Sequence, residues 1–219
     1  MAGAVKKENG RRQRGSLSRD EVVEAALAIA DAEGLEALSM PRLAQRLGCG
    51  VMTIYGYVAD KEDLLDAVAQ LGLRDLRLER PIPARAEEIL GAWGAALRQA
   101  LLLHPSLSGI FLTRAVIGPG IFRGVEALLG PLEAAGQRPD RAVHSIYAVL
   151  IFTTGFVAWE MPRTRRQSQA AYATAWRREF AALDPEQFPK VATVLDDLAQ
   201  VAGEDQFQRG LRALVAGLS

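Results

Sequence analysis

The sequence predicts an all-α fold. Apolar residues recur at three- and four-residue spacing from Val22 to Leu218, and no long stretch alternates with period two. The apolar runs are separated by turn signals: Gly34, Gly48, His104-Pro105, Gly118-Pro119-Gly120, Gly136, Pro162 and Pro185. With 219 residues, 49% of them hydrophobic, the chain is long enough for one large domain or two small ones, each with a sizeable core. Pro81-Ile82-Pro83 breaks any helix arriving from upstream and marks the soft boundary. The expected organisation is a basic arm over 1–17, a small helical domain over 18–72 and a larger helical domain over 73–219.

The first helix opens on Ser18, which forms a capping box with Glu21. Val22, Ala25, Ala26, Ile29 and Ala30 give it one apolar face, and Gly34 ends it. Ser39 caps the second helix, and Pro41 fits its first turn, where a missing N–H costs nothing. Leu43, Ala44 and Leu47 point inward, and Gly48 supplies the positive φ of a helix end. A third helix is expected from about Val51 to Val58, with Ile54 and Val58 buried and Thr53, Gly56 and Tyr57 on the other side. Asp60 caps a fourth helix, whose apolar stripe is Leu64, Leu65, Val68 and Leu71. Two short helices around such a turn form the unit that lays its second helix in the DNA major groove.

Formal charge is zero overall but unevenly placed. Residues 1–19 hold Lys6, Lys7, Arg11, Arg12, Arg14 and Arg19 against Glu8 alone. This cluster reads either as an electrostatic footprint for phosphates or as a solubilising tail. The single cysteine, Cys49, excludes an intrachain disulfide and is expected to pack as a small hydrophobe. The N-terminus is charged and lacks an apolar leader, so the expected compartment is the cytoplasm.

Beyond Pro83, helices are expected over about 85–103, 106–116, 120–135, 139–161, 165–182, 188–202 and 204–217. Residues 142–159 carry no Asp, Glu, Lys or Arg, which approaches the length of a membrane span. His144, Ser145, Thr153, Thr154 and Gly155 interrupt the run, so a helix buried on most sides is expected, with no membrane partner. Catalysis and metal binding fit poorly. Two histidines forty residues apart and one cysteine give no ligand spacing, and there is no nucleophile elbow, phosphate loop or dinucleotide glycine pattern. No cofactor is expected.

Residues 18–71 resemble the DNA-binding domain of the tetracycline-repressor (TetR/AcrR) family. The resemblance rests on Ala25 to Ser39 (Ala-Ala-Leu-Ala-Ile-Ala-Asp-Ala-Glu-Gly-Leu-Glu-Ala-Leu-Ser), on Leu43-Ala-Gln-Arg-Leu-Gly48, and on Thr53-Ile-Tyr-Gly-Tyr-Val-Ala-Asp-Lys61 with Glu-Asp-Leu-Leu-Asp-Ala after it. It implies that Tyr55, Tyr57 and Lys61 contact phosphates, together with Ser39 and Arg42 at the start of the second helix. It also implies that Thr53 reaches a base edge or a neighbouring phosphate. The recognition helix departs from many relatives: Gly50 replaces a capping Ser or Thr, and Val51, Met52 and Gly56 offer no side-chain hydrogen bond. Apolar contact of Val51 and Met52 with thymine methyls, and DNA shape, would then carry more of the specificity.

The resemblance continues more faintly through Trp93, Leu97, Leu101 and His104-Pro105, and through Thr154-Gly-Phe-Val-Ala-Trp-Glu160. It implies a C-terminal domain that binds a small molecule and forms a homodimer through the long apolar helix and the last helix. Leu211, Leu214 and Val215 are the expected interface residues. Aromatic residues at helical spacing mostly build core, but Trp93, Phe111, Phe152, Trp159 and Trp176 are candidates to line a cavity. His104, Tyr147 and Thr154 are the polar groups that would orient a ligand there. The function implied is a ligand-responsive regulator, a repressor that leaves a palindromic operator when its effector binds. The alternatives are an activator or ligand-independent regulator, and a helical enzyme or adaptor.

Overall fold

The computed structural model describes residues 17–218 except 75 and 165–167. Lys6, Lys7, Arg11, Arg12 and Arg14 of the expected basic arm lie outside the described residues. The described chain contains helices and no strand, and divides between Gly72 and Leu73 into two compact units.

The first unit is built from α1 (Arg19–Glu33), α2 (Met40–Leu47), α3 (Val51–Ile54) and α4 (Lys61–Gly72). Both halves of the capping box at Ser18 and Glu21 are formed, and the Gly34 N–H closes α1 on the Ala30 carbonyl at φ 93°. Val22, Ala26 and Ile29 of α1 meet Leu43, Ile54, Leu64 and Val68 in a core where each of these side chains is fully buried. The recognition helix is shorter than expected. Regular α-helix stops at Ile54, and the Gly56 and Tyr57 N–H groups bond three residues back, to Thr53 and Ile54. The last turn is thus wound to 3₁₀ geometry, a tightening common at helix ends. Cys49 is half-buried rather than packed in the core.

The second unit contains α5 (Ala86–Leu103), α6 (Ser106–Thr113), α7 (Pro119–Ala134), α8 (Pro139–Thr164), α9 (Gln169–Ala181), α10 (Pro189–Thr193), α11 (Leu195–Leu198) and α12 (Glu204–Ala216). The helix expected over 188–202 is broken at Val194, whose φ of −124° leaves the helical region. β-branched Val191, Thr193 and Val194 follow Pro189 there, and such side chains crowd the preceding helical turn. α8 lies at the centre, against α5, α6, α7 and α12. It is long and apolar enough to cross a membrane by length and composition, yet Ala142, Ile146, Val149 and Val157 are core residues of this unit. The expectation that α8 is buried on most sides is corrected: only 39% of its most apolar window is buried. Tyr147 and Ile151 lie 50% and 67% exposed on its outer face.

The last helix also differs from expectation. Leu211 and Val215 are not available to a partner, because they are buried inside their own subunit, and only Leu214 of the three is half-exposed. The cause is the close approach of α12. A Cβ on Gly94 would sit 2.9 Å from Leu211 Cδ2, and one on Gly210 would sit 2.7 Å from Phe152 Cζ. The two glycines let α12 settle directly onto α5 and α8.

Candidate nucleic-acid interface and effector unit

The recognition surface starts from how α2 ends. The Ser39 hydroxyl accepts the Arg42 N–H at 3.3 Å, and Pro41 lies in the first turn, so α2 begins at a fixed point. It ends at Gly48, whose φ of 67° belongs to the left-handed region, with its N–H on the Ala44 and Gln45 carbonyls. α3 leaves this turn with Ile54 fully buried and Val58 2% exposed just beyond it. That anchoring aims the rest of α3 outward: Met52 is 80% exposed, Tyr55 44%, Thr53 is exposed and Val51 half-buried. Lys61 is exposed at the first turn of α4. That turn is held by reciprocal caps, with Asp60 Oδ1 accepting the Asp63 N–H at 2.8 Å and Asp63 Oδ2 accepting the Ala59 N–H at 2.9 Å.

Two residues expected on phosphates are engaged elsewhere. Arg42 forks onto Glu33, with Nη2–Oε1 at 2.7 Å and Nε–Oε2 at 3.2 Å, and donates to Gln45 Oε1 at 3.1 Å. The Arg42 hydrogen bond holds the Glu33 carboxyl below its ordinary range and raises the guanidinium in turn. Tyr57 is half-buried, and its hydroxyl donates to the Leu17 carbonyl at 2.7 Å. A phenol has one O–H, so this hydrogen bond and donation to a phosphate exclude each other. Arg19 ties the same corner, from Nε to the Tyr57 carbonyl at 3.3 Å and from Nη2 to Asp63 at 3.2 Å. It is therefore a structural clamp rather than one of the arm's available charges. Arg46, exposed on α2 one turn beyond Arg42, was not among the expected contacts. Its i+4 spacing from Arg42 was the available signal.

An outward-facing α3 on a short-helix pair, with exposed Tyr55 and Lys61, is the arrangement of a major-groove reader. A sequence model described as bacterial regulatory proteins, tetR family, matches residues 22–68, and one described as tetracyclin repressor-like, C-terminal domain, matches residues 83–219. The chain belongs to the tetracycline-repressor family. Among its relatives is the HTH-type transcriptional repressor DrrR1 of Streptomyces coeruleorubidus, 33% identical over 216 residues, which span 93% of this chain and 77% of that one. The Escherichia coli tetracycline repressor protein class E is 27% identical, spanning 93% and 91%. The Streptomyces coelicolor TetR family protein ActR in complex with actinorhodin superimposes with a TM-score of 0.81 at 29% identity, covering 93% of this chain and 96% of that one.

In this tetracycline-repressor-family chain, the expected effector residues are dispersed through the second unit. Phe152 and Trp159 join one aromatic cluster, with Phe152 stacked on Phe207 at 5.6 Å and Trp159 reached through Phe156 at 6.2 Å. Trp93 and Thr154 are buried, and His104 and Phe111 are half-buried. Tyr147 faces outward, so it does not join an internal site. Trp176 pairs with Tyr172 on α9, at 6.4 Å between ring centroids, and remains 38% exposed. The hydroxyls of Ser108, Thr153 and Thr154 are buried with no hydrogen-bond partner among the described residues. Unsatisfied buried hydroxyls are the kind of group that orients a small molecule in an apolar site.

The sequence reading also missed an ionic triad, in which a buried Arg98–Glu160 pair reaches the exposed Glu204. Arg98 of α5 binds Glu160 of α8 through Nη2, at 2.8 and 2.9 Å to the two carboxylate oxygens. Its Nη1 bonds Glu204 at the start of α12, and the guanidinium lies over the Phe207 ring at 5.1 Å. Three distant segments thus meet at one buried charge, a convergence that local spacing does not announce.

Proposed function

We propose that this protein is a ligand-responsive transcriptional repressor. It binds a twofold-symmetric DNA site as a homodimer and leaves it when a small hydrophobic molecule enters the C-terminal unit. The observation that carries this reading is the outward face of α3, fixed by Ile54 and presenting Met52, Thr53 and Tyr55 beside Lys61. In this assignment Tyr55 and Lys61 hold phosphates, and Arg42 joins them by exchanging Glu33 for a phosphate. Thr53 provides the polar base contact, and Val51 and Met52 meet thymine methyls. Ser39 stations the start of α2 against the backbone.

The dimer is assigned to the outer face of α8, centred on Tyr147 and Ile151, and to Leu214 of α12. This face is an uncovered apolar surface on a helix stretch without Asp, Glu, Lys or Arg. The effector is assigned to the apolar interior near Thr154, Thr153 and Ser108. The relative ActR has been solved with actinorhodin, and a TetR variant from Acinetobacter baumannii with minocycline, which supports an organic effector. Such a molecule acts only through its differential affinity for the DNA-competent and DNA-incompetent conformers. The working compartment is the cytoplasm, where the DNA is.

A mobility-shift titration of the DNA upstream of its own coding sequence tests the reading. A discrete complex that survives excess unrelated duplex is expected. Binding that unrelated duplex removes in proportion to its concentration would refute site-specific regulation.

A further inference from the structure

The first turn of α2 carries a cation that is already neutralised. The Arg42 guanidinium takes both carboxylate oxygens of Glu33, the last residue of α1, at 2.7 and 3.2 Å, and gives a third donor to Gln45 at 3.1 Å. Such a two-point fork is stronger and more directional than a single contact. The Arg42 hydrogen bond, and behind it the charge of Arg46 one turn further along α2, holds the Glu33 carboxyl below its ordinary range. Neither helix needs the pair for its cap. Gly34 closes α1 on the Ala30 carbonyl, and the Ser39 hydroxyl opens α2. Glu33 and Arg42 are both exposed at the surface, so the fork faces water rather than the core.

We propose that Glu33 is a specificity-determining residue: it withholds Arg42 from loosely bound DNA and releases it to a phosphate only when α3 is seated in the groove. This rests on the DNA-binding reading above and adds to it an acidic competitor inside the protein. Loose association is driven by cations that meet phosphates on any sequence, and each phosphate neutralised adds about 0.9 to the slope of log affinity against log salt. A cation forked onto a carboxylate presents no net charge to a distant phosphate, so Arg42 adds nothing to that association. Once α3 is seated, a backbone phosphate at the start of α2 offers the same two-point acceptor that Glu33 does. The exchange is cheap because the pair is exposed. Glu33 thus lowers affinity for the wrong complex more than for the fitted one, which is how a repulsive group confers selectivity.

The test is a double-mutant cycle on full-length protein: wild type, Glu33→Gln, Arg42→Gln and the combination. Glu36→Gln serves as a control, because it removes the same charge from an exposed position three residues away. Each protein is titrated onto a mixed-sequence duplex of about 30 base pairs across a series of KCl concentrations, a regime in which phosphate electrostatics dominate binding. Glu33→Gln should tighten this unspecific binding roughly twofold to fivefold, the scale of one exposed ion pair, and steepen the salt slope by about 0.9. Arg42→Gln alone should leave both quantities at the wild-type level, and the gain from Glu33→Gln should be lost in its background. No gain from Glu33→Gln, or a loss, would overturn the proposal. An equal gain in the Arg42→Gln background or from Glu36→Gln would overturn it as well, because net charge alone would then be at work. Failure of the DNA-binding reading is distinguishable, since wild type would then show no salt-dependent binding at all.

Discussion

The two units differ in whether they bury charge, although both carry ion pairs at the surface. In the DNA-binding unit the ion pairs sit at the surface: Arg42 with Glu33 at 41% and 35% side-chain exposure, and Arg19 with Asp63 at 51% and 39%. In the effector unit Arg98 and Glu160 are at 6% and 5%. Water screens an exposed pair, so the pair adds little to stability and its members can change partners at little cost. A buried pair has already given up its hydration, so losing one partner strands the other. The difference teaches where each unit keeps its function. In the first unit the exposed Arg42–Glu33 pair can exchange partners at little cost, and in the second a buried charge fastens α5, α8 and α12 together.

Removing one member of the triad should give the largest effect. Glu160→Ala leaves Arg98 with only the half-exposed Glu204, and breaking such a buried pair costs about 3–5 kcal/mol. Chemical denaturation should show that loss, whereas Glu33→Gln in the first unit should leave the midpoint nearly unmoved. Equal, small effects would abolish the contrast.

The next effect concerns the outer face of α8. Ile151→Glu changes a side chain that is 67% exposed in the protomer, so the protomer should keep its stability. Burying that carboxylate against a second copy is costly, so sedimentation should show a monomer and loss of cooperative DNA binding. A dimer of unchanged strength would place the interface elsewhere.

A smaller effect is expected from Lys61→Ala. In the proposed assignment Lys61 holds a phosphate, so affinity should fall for specific and unrelated duplexes alike, and the salt slope should drop by about one. Altered preference at a single base position with general affinity intact would show that Lys61 reads sequence.

The same contrast explains what could be read from the sequence. The first unit was legible almost residue by residue. Its helices are short, its caps are local, and Ser18, Ser39, Gly34 and Gly48 each act within four residues of their position. What the sequence did not announce there are the partners beyond local spacing: Leu17 for the Tyr57 hydroxyl, forty residues away, and Glu33 for Arg42, nine residues away. In the second unit helix positions were legible, but the direction each face takes was not. Leu211 and Val215 form an apolar stripe as an interface would, and only Gly94 and Gly210, which admit α12 to its own core, decide that the stripe turns inward. Tyr147 could not be told from a pocket residue by periodicity, because core, cavity and interface all select apolar side chains at the same spacing. The triad was invisible because its members lie 62 and 106 residues apart in sequence.

Selection of binding sites from a random pool of DNA duplexes tests the central claim most directly, since it presupposes no operator. Two recognition helices related by a twofold axis should enrich a sequence that reads the same on both strands, with half-site centres about one helical turn apart, roughly 34–36 Å. A pool that shows no enrichment, or that converges on one asymmetric element, would contradict the account.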